Sequence, residues 1–160
     1  MTHTVVDNFL PSDYFENLVS LVSNNDFHWF FSGTIADKTD NSDCYFAHTV
    51  YINHRINSNL FDHLQPLLQK INVKALLRIR VLQYIKQNEI TEHKPHVDFI
   101  FPHQAFILYL NTNDGFTRLD NGVRVESVQN RALFFDGSTN HNSTNCTSSN
   151  RRLVLTVNYF

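Results

Sequence analysis

Two hydrophobic periods divide the chain. In residues 11–26, PSDYFENLVSLVSNND, the apolar positions Phe15, Leu18, Val19 and Val22 recur at helical spacing behind Ser12 or Asp13, either of which can cap a first turn. The pattern predicts a helix with one buried stripe. Residues 58–71, SNLFDHLQPLLQKI, repeat it through Leu60, Leu64, Leu67, Leu68 and Ile71. Pro66 lies inside that run and, lacking an N–H, is expected to kink or restart the helix; His63 on the same run reads as a surface or boundary histidine. From Ala75 the period changes. LLRIRVLQYI, AFILYLN, FTRL, VRVESV, RALFFD and RRLVLTVNYF are rich in β-branched and aromatic residues, and NDG, DNG and DG supply turns between several of them.

This order predicts a mainly β chain with N-terminal helices, an α+β arrangement. Its centre would be an antiparallel jelly roll (a double-stranded β-helix) or a small barrel, with the helices packed on one outer face. A single domain is expected over residues 1–160, with 1–74 as a helical support region and 75–160 as the jelly-roll core. The polar stretch GSTNHNSTNCTSSN, 137–150, is short enough to be a loop within that domain.

Composition narrows the function classes. The 160 residues are 42% hydrophobic and 18% charged, enough to bury a core, and the formal charge of −2 with scattered Lys and Arg leaves no basic stripe for phosphates. Nucleic acid is therefore disfavoured as a partner. The two cysteines, Cys44 and Cys146, have no zinc-clip or disulfide-framework spacing and read as reduced thiols. The N-terminal stretch lacks a secretory pattern, and the longest apolar run, Ala105 to Leu110, is far too short for a bilayer. The expectation is a soluble cytoplasmic protein with no membrane partner.

Candidate chemistry begins at HKPHVDF, residues 93–99. In an extended segment His96 and Asp98 point the same way. His141, in the polar stretch before the final strand, can complete a two-histidine, one-carboxylate set whose open positions suit non-haem Fe(II). The set contains no thiolate, which argues against structural zinc, and its two imidazoles argue against Mg²⁺. With nine histidines in the chain, an H-x-D occurs easily by chance, so the motif alone decides nothing. His93 and His103 are the competing ligands. The first would point away from His96 and the second follows Pro102 in a predicted turn, so both read as ordinary polar residues.

The final strand adds a second signal. Arg151 and Arg152 enter an apolar run, and a buried arginine needs an anion, for which a dicarboxylic co-substrate would serve. Alternation puts Arg152, Val154, Thr156 and Asn158 on one face and Arg151, Leu153, Leu155, Val157 and Tyr159 on the other. The polar face suits a ligand pocket, and the apolar face suits packing against the helices.

Together, H-x-D at 96–98, ILYLN at 107–111, NRALFFDGSTNH at 130–141 and RLVLTVNYF at 152–160 resemble the 2-oxoglutarate and Fe(II)-dependent oxygenases. The likeness is to the prolyl-4-hydroxylase-like branch, including its small stand-alone bacterial and phage members, and it runs from about Arg78 to Phe160. It implies iron bound by His96, Asp98 and His141. It also implies 2-oxoglutarate as co-substrate, its distal carboxylate held by Arg152, Thr156 and Tyr109 in a pocket also lined by Tyr84, and ascorbate as reductant of oxidised iron. Two positions depart from the pattern: Asn158 replaces a frequent aromatic, and Arg152 comes one residue late. Because Asp98 fills the place that halogenating relatives leave open, the implied outcome is hydroxylation with succinate and CO₂ as co-products.

The expected substrate is a prolyl or similar residue of a protein or peptide, with a free amino acid, another small molecule or a nucleobase as alternatives. A cupin-like metal enzyme that does not use 2-oxoglutarate would leave Arg152 and Thr156 unexplained, and a silent jelly-roll binding module would leave three intact ligands unexplained. Residues 30–50 and 84–95 are the segments expected to meet substrate.

Overall fold

The computed structural model describes residues 3–35 and 44–160. The chain begins with β1 (Thr4–Val6), α1 (Ser12–Ser23), β2 (Phe30–Ser32), β3 (Tyr45–Ile52), β4 (Arg55–Ile56), α2 (Leu60–His63) and α3 (Gln65–Lys70). It continues with β5 (Leu76–Ile85), β6 (Gln104–Tyr109), β7 (Phe116–Leu119), β8 (Arg124–Glu126), β9 (Arg131–Asp136), β10 (His141–Ser143) and β11 (Arg151–Tyr159). The larger sheet runs β1-β9-β6-β11-β5-β3-β2 with β4 paired to β3, and the smaller runs β10-β7-β8. Every named strand pair is antiparallel. The two sheets make the expected jelly roll.

Strand alternation sorts the larger sheet into two faces. Val50, Ile79, Val81, Phe106, Leu108, Leu153, Leu155 and Val157 pack with Phe15, Leu18 and Val22 of α1 and with Leu60, Leu64, Leu67 and Leu68 of the other helices. Each of these fully buried aliphatic side chains contributes about 1.5–3 kcal/mol relative to exposure. On the opposite face Tyr45, Leu82, Tyr84, Ala105, Ile107, Tyr109, Leu133, Phe135 and Val154 meet Leu119 and Val125 from the smaller sheet. The site lies between the sheets on this second face.

The helical run at 58–71 restarts as anticipated, with α2 ending at His63 and Pro66 in the first turn of α3. The expectation of a helical support region over 1–74 is corrected in one respect: β3 is an eight-residue strand paired along β5, so the first half also builds the larger sheet. The polar His48 and Thr49 blur its alternation, which hid it. Asn53 and His54, with φ of 51° and 60°, form the two-residue turn from β3 into β4. Of the segments expected to meet substrate, 36–43 lies outside the described residues, while 30–32 and 45–52 are strands. No described helix is long and apolar enough to cross a membrane.

Candidate metal and co-substrate site

His96 and His141 exchange both backbone hydrogen bonds, N–H to O at 3.0 Å each way, as a directly opposed antiparallel pair. His141 was expected in a loop; it opens the short strand β10, whose sequence, HNS, has no apolar residue to betray it. Asp98 N–H donates to Gly137 O at 2.9 Å, which fixes the carboxylate two positions along from His96 on the same side. One ligand atom from each of His96, Asp98 and His141 lies within 4.8 Å of the others. No other set of three such side chains occurs among the described residues.

The protonation states suit a cation. His141 Nδ1–H donates to Thr139 O at 2.9 Å, which turns its Nε2 towards Asp98 Oδ2 at 3.8 Å. That separation is too long for a direct hydrogen bond and is near that of two ligands on one ion. Burial, reinforced by His141, lowers the His96 pKa to about 4, so its imidazole is neutral at pH 7. Its Nδ1 is buried without a protein partner. Asp98 stays ionised: burial pushes its pKa up, but Arg78, His141 and Asn158 together hold it at about 2.

Both oxygens of Asp98 are held from behind. Arg78 donates to Oδ1, and Asn158 Nδ2 donates to Oδ2 at 2.8 Å. Arg78 Nε also donates to Asn158 Oδ1 at 3.2 Å, while Asn158 Nδ2 reaches His103 Nε2 at 3.1 Å. His103 Nδ1–H is anchored on Phe101 O at 2.9 Å. A Cβ at Gly137 would collide with the His103 ring, so the DG turn must be this small at that point. His93 and His103 are indeed outside the ligand set, yet both are buried and structured; His93 bonds Ser143 Oγ at 2.8 Å and stacks on Tyr84.

A cavity joins these ligands to the co-substrate candidates: His96, Asp98, His141, Tyr84, Arg152 and Thr156 all line it. Arg152 is only 1% exposed. Its Nε donates to Ser127 Oγ at 2.8 Å, Nη2 to Thr117 Oγ1 at 3.1 Å and Nη1 to Thr144 O at 3.3 Å. No carboxylate is among these partners, although a buried guanidinium is stable only with compensating charge or hydrogen bonds. Gly115 makes room for it, since a Cβ there would strike the Arg152 side chain and Asn145 O. Arg151, its neighbour, points the other way and bonds Gln83 Oε1 at 2.9 Å.

The remaining expected residues are placed unevenly. Thr156 lines the cavity and makes only a long bond, 3.4 Å, to Arg80 O. Tyr84 accepts from Ser143 Oγ at 3.1 Å, and burial pushes its phenol pKa up. Tyr109 is fully buried behind Thr117, to which its hydroxyl donates at 2.8 Å. Thr117, rather than Tyr109, therefore reaches the cavity. Sequence reasoning did not single out Thr117, Ser127, Arg78 or Arg80, and it gave neither Asn158 nor His103 the part of holding Asp98 in place. Signals existed for some of them: Arg78 and Arg80 alternate with Tyr84 on β5, and Asn158 shares the polar face of β11 with Arg152.

The sequence matches no family model and no curated protein. Solved structures do match along nearly the whole chain. The viral collagen prolyl hydroxylase of Paramecium bursaria Chlorella virus-1, in a 2-oxoglutarate complex, superposes with a TM-score of 0.66 at 10% identity, over 99% of this chain and 95% of that one. A Trichoplax adhaerens prolyl hydroxylase, bound to a peptide fragment of the hypoxia inducible factor oxygen degradation domain, gives 0.68 at 16% identity, over 99% and 83%. SnoN, a non-haem α-ketoglutarate-dependent epimerase of nogalamycin biosynthesis, gives 0.67 at 14%, over 99% and 77%. The chain shares its fold with these structures, two prolyl hydroxylases and an α-ketoglutarate-dependent epimerase.

Proposed function

We propose that the protein is a 2-oxoglutarate- and Fe(II)-dependent dioxygenase that hydroxylates a C–H bond, with succinate and CO₂ as co-products. The observation that carries this is the pairing, in one cavity, of a His-Asp-His ligand set with a fully buried arginine that has only neutral oxygen partners. His96, Asp98 and His141 would hold the metal, with two imidazoles and one carboxylate. Bound there, the iron supplies the activation of O₂, and three protein ligands leave room for a chelating co-substrate beside it.

The chain's own residues divide the remaining work. Arg152 meets the distal carboxylate of 2-oxoglutarate. Thr117, whose oxygen already accepts from Tyr109 and Arg152, has its hydroxyl hydrogen left to donate to the same carboxylate. Thr156 supplies a hydroxyl further along the cavity, and the Tyr84 ring closes one wall. Arg78 and Asn158 keep Asp98 ionised and oriented. For the substrate we favour a prolyl or similar residue of a peptide. Support comes from the two prolyl hydroxylases that share the fold, one of which holds a peptide. Ascorbate fits as the external reductant, and a chain with only two cysteines fits a reducing cytoplasm.

The test is calorimetry of 2-oxoglutarate with the Mn(II)-loaded protein, paired with succinate detection after Fe(II) and O₂ are supplied. Saturable binding and slow succinate release without substrate are expected. Metal binding without 2-oxoglutarate binding would move the assignment to a cupin-like enzyme.

A further inference from the structure

Arg80 is a second arginine of the cavity that the proposed reaction does not use. It sits on β5 opposite Thr49 of β3 and Thr156 of β11, two positions from Arg78, and its side chain lines the cavity with His96 and Asp98. Its Nε is buried without a hydrogen-bond partner. The nearby carboxylate is already taken, since Arg78 and Asn158 occupy both oxygens of Asp98. No described carboxylate forms an ion pair with Arg80.

Position separates Arg80 from the co-substrate's anchor. Arg152 pairs with Tyr84 and Thr156 with Arg80, so the two arginines stand four residues apart along the paired strands, roughly 13 Å between their backbones at strand rise. One faces the deep end of the cavity and the other the metal-ligand end. Charge gives a second argument, which rests on the proposed function. Arg80 and Arg152 line the cavity and Arg78 pairs with Asp98, the one carboxylate lining it; a divalent ion adds two positive charges and dianionic 2-oxoglutarate removes two. The loaded cavity therefore keeps an excess of two positive charges, and at Arg80, a half-buried residue whose buried Nε lacks an acceptor, a partly desolvated guanidinium is better accommodated beside an anion.

We infer that Arg80 binds a carboxylate of the primary substrate, so that the enzyme selects anionic substrates over their neutral analogues. The carboxylate can belong to the reacting residue itself or to an acidic side chain next to it in a peptide.

The experiment uses the full chain loaded with Mn(II) and 2-oxoglutarate and measures dissociation constants by calorimetry for two matched probe pairs. N-acetylproline against N-acetylprolinamide places the charge on the reacting residue, and acetyl-Pro-Glu-amide against acetyl-Pro-Gln-amide places it on the neighbour. For one pair the anionic member should bind at least ~10-fold tighter, and Arg80→Gln should shrink that preference below ~3-fold while leaving the 2-oxoglutarate dissociation constant within ~3-fold. Arg80→Lys, which keeps the charge, should retain part of the preference. Two outcomes overturn the inference: no charge preference in either pair with the wild-type protein, or a rise of ~10-fold or more in the 2-oxoglutarate dissociation constant of Arg80→Gln, which would give Arg80 to the co-substrate. Loss of 2-oxoglutarate binding by the wild-type protein would instead sink the proposed function itself, so the two failures are told apart.

Discussion

Asn158 Nδ2 donates to Asp98 Oδ2 at 2.8 Å, on the carboxylate oxygen that faces His141 Nε2. The Asp98 oxygen nearer His141 is thus oriented by a residue from the last strand, sixty positions away. Groups that orient a metal ligand change affinity by about 10–100-fold when removed. Asn158→Ala should therefore weaken Mn(II) binding by about 10-fold. His103→Ala, one bond further out, should weaken it less. Equal Mn(II) affinity for wild type and Asn158→Ala, in folded protein, would show that Arg78 alone positions the carboxylate.

The ligand set makes a harder prediction. Each of His96→Ala and His141→Ala removes one of three donors, and the loss in Mn(II) affinity should exceed ~100-fold in both. His63→Ala, exposed on the helix face of the molecule, serves as control and should leave the titration unchanged. A variant pair that still titrates like wild type removes the metal from this site.

The strands of the core were legible because both of their faces are written in residue type. β5, β7, β9 and β11 begin at or within a residue of the positions where β-branched and aromatic runs begin, and the faces of β11 sort as alternation required, with Leu153, Leu155 and Val157 against the helices and Val154 towards the site. The candidate pair His96 and Asp98 was readable from the H-x-D spacing itself, since His96 lies in an isolated bridge with His141 rather than in a strand of its own. β1 and β4 were not, being short, exposed edges with no buried alternation to detect. β10 was hidden because pairing with β7 and with His96, rather than its own hydrophobicity, makes it a strand. The network of Arg78, Asn158 and His103 joins three segments distant in sequence, so only register between strands brings it together.

Asp114 ties the loop before β11 to the start of β7. It accepts from Thr147 N–H at 2.8 Å, from Ser148 N–H at 3.1 Å and from the Thr147 hydroxyl. Partial burial pushes its pKa up, but these donors outweigh it and hold the carboxyl well below its usual range. A depressed pKa contributes stability above the unfolded value, near ~3.9, and loses it as pH falls through the folded one. Asp114→Asn should therefore be less stable than wild type at pH 7, by about 1 kcal/mol after allowing for solvent exposure, and the gap should narrow towards pH 3. Urea unfolding at the two pH values measures it; a gap that widens in acid contradicts the assignment.

Arg151 and Arg152 offer the sharpest contrast because they are adjacent and face opposite ways. Arg152 is buried on Ser127, Thr117 and Thr144 in the cavity wall, whereas Arg151 reaches Gln83 on the other side of the sheet. Removing the guanidinium at 152 takes away the cation held on Ser127, Thr117 and Thr144 in the cavity wall and leaves a bound dicarboxylate without its charge partner, a loss on the order of 2–5 kcal/mol. Arg152→Ala should raise the 2-oxoglutarate dissociation constant by at least ~30-fold, and Arg151→Ala by less than ~3-fold. Thr117→Val keeps the shape and removes the one hydroxyl hydrogen left to donate, so it should fall between them, at about 3–10-fold, the effect of one hydrogen bond. The order matters more than any single value. If Thr117→Val has no effect while Arg152→Ala has its full one, the carboxylate meets the guanidinium alone, and the hydroxyl serves only to hold Tyr109 and Arg152 in place.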